Sequence, residues 1–148
     1  MTVFAKNKKA FADYHFLEKI EAGLALTGAE TRAIREGNVS LRGSFVSLHH
    51  GKLFLINAHI GKYTKASGET PHEALRERPL LVRGEELRRL IGRIQEKGLT
   101  LVPLSLYSKG PWIKLEFAVA RGAVKYEKRE RIKKRDSDRD IQRALRDR

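Results

Sequence analysis

The chain has no cysteine, which excludes a disulfide framework and any thiolate-bound metal. It has no long apolar run of the kind that crosses a membrane as a helix, and its start, MTVFAKNKKA, lacks the apolar centre of a secretory signal. The cytoplasm is the expected compartment, and no membrane partner is expected. Internal repeats at solenoid periods are missing. So are the residue sets that carry catalysis. There is no phosphate-cradling glycine loop, serine elbow or kinase-type set. The histidines at 15, 49, 50, 59 and 72 form no HExxH or HxH pair, and the adjacent His49 and His50 fall in a turn whose neighbours point to opposite sides. Glu85 and Glu86 are accounted for as charges at the positive end of a helix. No metal, cofactor or enzymatic activity is therefore expected.

Acidic residues are scarce beside basic ones. The 148 residues hold 31 Lys and Arg against 18 Asp and Glu, a formal charge of +13. The segment 121–148 holds twelve Lys and Arg and six Asp and Glu, a net +6 that leaves +7 for the first 120 residues. Only Val124, Tyr126, Ile132, Ile141 and Leu145 in that segment could bury much surface, too little to offset the entropy of ordering it. It reads as a basic tail, disordered when free, on a body (1–120) large enough for one core. A basic body with a basic arm makes nucleic acid the first partner to consider.

Along the body, Asp13–Leu26 reads as a long bent strand with Tyr14, Phe16 and Ile20 in one register and a bend at Gly23. Thr27 and Glu30 have capping-box spacing and open a helix, Gly28–Glu36, that Gly37–Asn38 stops; Arg32 and Arg35 face outward. Ser44–Leu48 and Lys52–Ile56 form a hairpin. Residues 57–78 have no periodicity and read as a long loop. Leu80–Val82 is a short buried strand with Pro79 at its edge. Leu87, Leu90, Ile91 and Ile94 make one apolar stripe on a helix over 85–97. Leu99–Tyr107, broken at Pro103, and Trp112–Ala120 are the last strands, joined by a turn over 108–111. The reading is a mainly β chain with short helices: an antiparallel barrel of the oligonucleotide-binding (OB-fold-like) type followed by the disordered basic tail.

Cations with aromatic company are what the chain offers a ligand: Lys8 and Lys9 before Phe11 and Tyr14, Arg32 and Arg35 on the first helix, Arg76 and Arg78 at the loop end, and Tyr107, Lys109, Trp112 and Lys114 around one turn. Phosphates need cations, and unstacked bases need flat faces. Glu21 can be read two ways, as a solvated strand residue or as a carboxylate accepting base or ribose protons.

The segments 7–14 (NKKAFADY), 21–39 (EAGLALTGAETRAIREGNV), 44–63, 76–82 (RERPLLV), 97–107 (KGLTLVPLSLY), 112–114 (WIK) and 126–136 (YEKRERIKKRD), in that order and spacing, resemble small protein B, the SsrA-binding protein family that partners transfer-messenger RNA in bacteria. The resemblance implies a barrel that grips the tRNA-like domain of transfer-messenger RNA and delivers it to stalled ribosomes for trans-translation, without catalysis and with elongation factor Tu as an indirect partner. It implies RNA-facing roles for Tyr14, Glu21, Leu81 and Lys114, which join Lys8, Lys9, Arg32, Arg35, Arg76, Arg78 and Arg83 as the RNA-binding set. It implies that the tail occupies the small-subunit decoding centre and empty message channel, ordering there as a helix. The tail residues assigned to that work are Gly122, Lys125, Tyr126, Glu127, Lys128, Arg129, Lys133, Arg135, Ala144 and Leu145. The chain departs from the family pattern where Gly-Lys-Lys becomes Gly122-Ala123-Val124, where the loop proline is Ala74, where a Lys is replaced by Pro79, and where Lys-Ser becomes Arg32-Ala33. The alternatives are a constitutive ribosomal or architectural RNA-binding protein, and a barrel nuclease that no histidine is placed to support.

Overall fold

A computed structural model describes residues 1–63, 72–96 and 98–121. The chain order is β1 (Val3–Lys6), α1 (Lys8–Asp13), β2 (His15–Leu24), α2 (Gly28–Arg35), β3 (Val39–Ser40), β4 (Phe45–His49), β5 (Lys52–Ile56), β6 (His59–Ile60), β7 (Arg78–Leu81), α3 (Gly84–Ile94), β8 (Leu99–Lys109) and β9 (Trp112–Arg121). Seven strands form one antiparallel sheet in the order β1-β8-β9-β2-β7-β5-β4, and β3 pairs with β6 alone. β4, at one end of the sheet, also packs against β8 near the other end, so the sheet curls towards a barrel. The mainly β, antiparallel architecture is as expected. No helix among the described residues is long and apolar enough to cross a membrane.

The core follows from alternation. β9 turns Ile113, Leu115, Phe117 and Val119 inward against Ile20 and Ala22 of β2 and Leu101 and Leu106 of β8. Leu90 of α3 is fully buried in this core, with Leu87 and Ile94 beside it. The hairpin β4–β5 turns at His50–Gly51, both with positive φ (51° and 75°), the pairing a type I′ turn requires. α2 begins with the expected capping box: Thr27 Oγ1 accepts from the Glu30 amide at 3.1 Å, and Glu30 Oε1 accepts from the Thr27 amide at 2.9 Å.

Several elements differ from expectation. β1 and α1 replace a stretch read only as basic and polar, because Asn7 organises it from afar. Asn7 caps α1 through Ala10 and donates from its side chain to the Pro103 carbonyl at 2.9 Å and from its backbone to Leu104 at 2.7 Å. Pro103 does not break β8. It sits where the β8–β9 register slips by one residue, and a bulge tolerates the missing N–H. The β2 irregularity lies between Phe16 and Glu18, not at Gly23. Leu81 is 59% exposed while Leu80 is 6% exposed, so β7 is buried on one side only. The stretch read as one long loop contains β6, and its described ends are tied by the Ile60 amide donating to Ala74 at 3.0 Å and by His72 Nε2 meeting the Ile60 carbonyl at 2.7 Å. Arg121, read as the first residue of the tail, ends β9, and residues 122–148 lie outside the described residues.

Candidate RNA-binding face

β9 has a regular alternation, so its even-numbered residues share the side opposite the core. At one end of that outer side, Ala118 and Ala120 are covered by α1. Together with Ala10, Val102 and Leu104 they form a second, smaller core, against which Tyr14 and Phe16 pack half-buried. Beyond α1 the side is open: Glu116, Lys114 and Trp112 follow one another along β9. Residues paired across neighbouring strands stand on the same side. Leu81 pairs with Gly23, Gly23 with Lys114, and Lys114 with Tyr107, one row across β7, β2, β9 and β8. The next row is Glu21, Glu116 and Ser105. Glu21, Leu81 and Lys114, which lie 33 to 93 positions apart in sequence, therefore meet on one surface, with Tyr14 at its α1 border.

Gly23 is the floor of this surface. A Cβ there would come within 3.3 Å of Leu81 Cβ, so glycine keeps the ground between Leu81 and Lys114 low. Glu21 is held from two sides. The Tyr107 hydroxyl donates a short hydrogen bond to Oε2, and Lys109 Nζ pairs with Oε1 at 3.1 Å. The Tyr107 bond is the main reason its carboxyl lies below the usual range; burial opposes it, and Lys109 and Lys114 add to it. Burial, then Glu21 itself, pushes the Tyr107 hydroxyl up, so it remains a donor. The result is a fixed, ionised acceptor whose free lone pairs face solvent beside Lys114, a combination suited to ribose hydroxyls or base amino groups next to a phosphate.

The other expected residues divide. Arg35 donates to the Pro111 carbonyl at 2.8 Å, which brings it to the β8–β9 turn at the edge of the face. Arg83 is exposed two residues beyond Leu81, at the start of α3. Arg32 is exposed, and its guanidinium lies 5.7 Å from the Tyr63 ring centre. Lys8 and Lys9 are exposed at the far β1 edge. With Lys6, Ser40 and Arg42 they border a separate cleft of about 430 Å³.

Arg78 is a correction. It is fully buried, donates to Glu30 Oε2 at 2.8 Å and to the Ala58 carbonyl at 2.7 Å, and so presents no surface cation. Arg76 shares the same carboxylate and donates to the Ala25 carbonyl at 3.2 Å, leaving its side chain 34% exposed. Burial raises the Glu30 pKa, but its bonds from Arg76, Thr27 and Arg78 prevail and hold it at about 2. A carboxylate at the third position of α2 thus serves as cap and as the counter-ion of two arginines. Composition offered no way to tell these arginines from surface ones. Tyr107 was legible as an aromatic near cations, but its bond to Glu21, 86 positions away, needs the sheet register.

Gly122, Lys125, Tyr126, Glu127, Lys128, Arg129, Lys133, Arg135, Ala144 and Leu145 all lie outside the described residues. Among the described residues, no group of three or more His, Asp or Glu is placed to hold a metal ion.

The chain matches the model of the SmpB protein family over residues 4–147. It is 49% identical over 144 residues to the SsrA-binding protein of Carboxydothermus hydrogenoformans, covering 97% of this chain and 96% of that protein. It is 47% identical over 144 residues to the SsrA-binding protein of Gloeobacter violaceus, covering 97% and 94%. Its fold is similar to a chain from a solved structure described as tmRNA-SmpB on a journey to the center of the bacterial ribosome, with TM-score 0.66 and 41% identity over 82% of this chain and 84% of that one. The chain belongs to the SmpB protein family.

Proposed function

We propose that the chain binds the tRNA-like domain of transfer-messenger RNA and delivers it to stalled ribosomes for trans-translation, acting in the cytoplasm as a binding factor rather than an enzyme. Membership of the SmpB family and the likeness to a protein seen with that RNA in the ribosome support the partners. The observation that carries the body's part in this is the outer face of β7, β2, β9 and β8, where Glu21, Leu81 and Lys114 surround a glycine floor. A fixed acceptor, an exposed apolar side chain and a cation side by side suit a folded RNA with splayed bases better than a smooth duplex. The tail, with Glu127-Lys128-Arg129 after Tyr126, is assigned to the decoding centre and the empty message channel, where its cations condense on ribosomal RNA.

The test is a mobility-shift series against transfer-messenger RNA, an unstructured RNA of equal length and duplex DNA, repeated across salt concentrations. Preference for the first, with affinity falling steeply as salt rises, is the predicted result. Equal affinity for all three would contradict specific recognition.

A further inference from the structure

Trp112 is the chain's single tryptophan and is 67% exposed. Every inward position of β9 from Ile113 to Val119 is filled by an apolar side chain, whereas Trp112 stands on the opposite side, in register with Lys114 and Glu116. Lys109 faces it directly across the β8–β9 pair, and Lys114 lies two residues on, roughly 7 Å along the strand. The ring is borne by a stiff support. The connecting turn is only Gly110 and Pro111, Gly110 has φ +60°, proline fixes its own φ, and Arg35 of α2 clasps the Pro111 carbonyl at 2.8 Å.

We propose that Trp112 is a stacking platform for an unpaired base of the RNA that the outer face binds, a proposal that rests on the functional reading above. The chemistry of its surroundings selects the occupant. Lys109 already pairs with Glu21 at 3.1 Å, but an apolar protein segment laid on Trp112 would cover Lys114 and Arg35 without supplying counter-charges. A nucleotide supplies both parts: a flat base for the indole and a phosphate for the cations around it. The pre-set turn lowers the ordering cost of the backbone that carries the ring. Leu81, Lys114 and Trp112 then read consecutive parts of one RNA segment, apolar edge, phosphate and base.

Because Trp112 is the only tryptophan, emission excited beyond the absorption of the four tyrosines reports this residue alone. The experiment titrates the wild type with the tRNA-like domain of transfer-messenger RNA, following emission, acrylamide access and mobility shift in parallel. It repeats the mobility shift with Trp112→Phe, Trp112→Leu and Trp112→Ala, whose folding is checked by circular dichroism. Stacking predicts quenched emission and reduced acrylamide access at saturation. It also predicts near-wild-type affinity for Trp112→Phe and a loss of roughly tenfold or more for the leucine and alanine variants. A saturated mobility shift with unchanged acrylamide access, or Trp112→Leu binding as tightly as Trp112→Phe, would overturn the proposal while leaving the functional reading intact. Failure of the wild type to bind this RNA at all would overturn both.

Discussion

The Glu21 carboxylate cannot be understood from Glu21 alone. Tyr107 and Lys109 hold one oxygen each, and Lys114 and Glu116 face it from β9. Tyr107→Phe keeps the buried ring and removes only the anchoring hydroxyl, so stability should change by no more than about 1.5 kcal/mol. The Glu21 carboxyl should then rise towards its ordinary range, because its largest lowering cause is gone. Binding that needs ionised Glu21 would be lost on acidification at a higher pH in Tyr107→Phe than in the wild type; binding-versus-pH curves that coincide would refute the anchoring role. Glu30 offers a second test, of stability. Its folded-state pKa of about 2 lies below the ordinary 4.5, so its contribution is complete above 4.5 and is lost as the pH falls towards 2. Glu30→Gln preserves an oxygen for the Thr27 amide but strands the buried Arg78 charge, at a cost of about 3–5 kcal/mol. Chemical denaturation at neutral pH measures that cost, and a change below about 1 kcal/mol would mean that solvent reaches Arg78.

β7 is the element that joins the site to the scaffold. Its first half, Arg78 and Pro79, pairs with β5, and its second half, Leu80 and Leu81, pairs with β2, so four residues bridge the two parts of the sheet. Arg78 anchors its start in the Glu30 cluster, which fixes where Leu81 emerges. Gly23 is the complementary device on β2. Gly23→Ala should crowd Leu81 and raise the floor, weakening RNA binding severalfold; because the near atom is Leu81 Cβ at 3.3 Å, held by the β7 backbone, the strands must shift slightly and the melting temperature should fall modestly. Paired affinity and melting measurements check this, and a collapse in stability would show that Gly23 serves the fold rather than the surface. What was legible in the sequence follows the same division. The α2 capping box, the α3 stripe and the β9 alternation are local patterns, and each is present. The exposed side of Leu81, the burial of Arg78, the continuity of β8 through Pro103 and the existence of α1 depend on partners tens of residues away, which no local period encodes. The resemblance supplied Leu81 where periodicity placed it in the core.

The whole chain distributes its +13 charge over a body and a tail, and the proposed function gives them separate tasks: the body grips folded RNA, the tail works on the ribosome. Removing residues 123–148 should leave affinity for free transfer-messenger RNA within a few-fold and abolish peptide tagging on stalled ribosomes. Collapse of RNA binding on truncation would mean that the tail shares the grip. The central claim is narrower, that the outer face of β7, β2, β9 and β8 is the grip itself. It is tested most directly by the affinity for transfer-messenger RNA of the double variant Leu81→Ala/Lys114→Ala against a control, Lys52→Ala/Arg88→Ala, which removes exposed cations from the β4–β5 hairpin and α3. The predicted result is a loss of roughly tenfold or more for the first and a change of less than about threefold for the second. Equal losses in the two variants would contradict it.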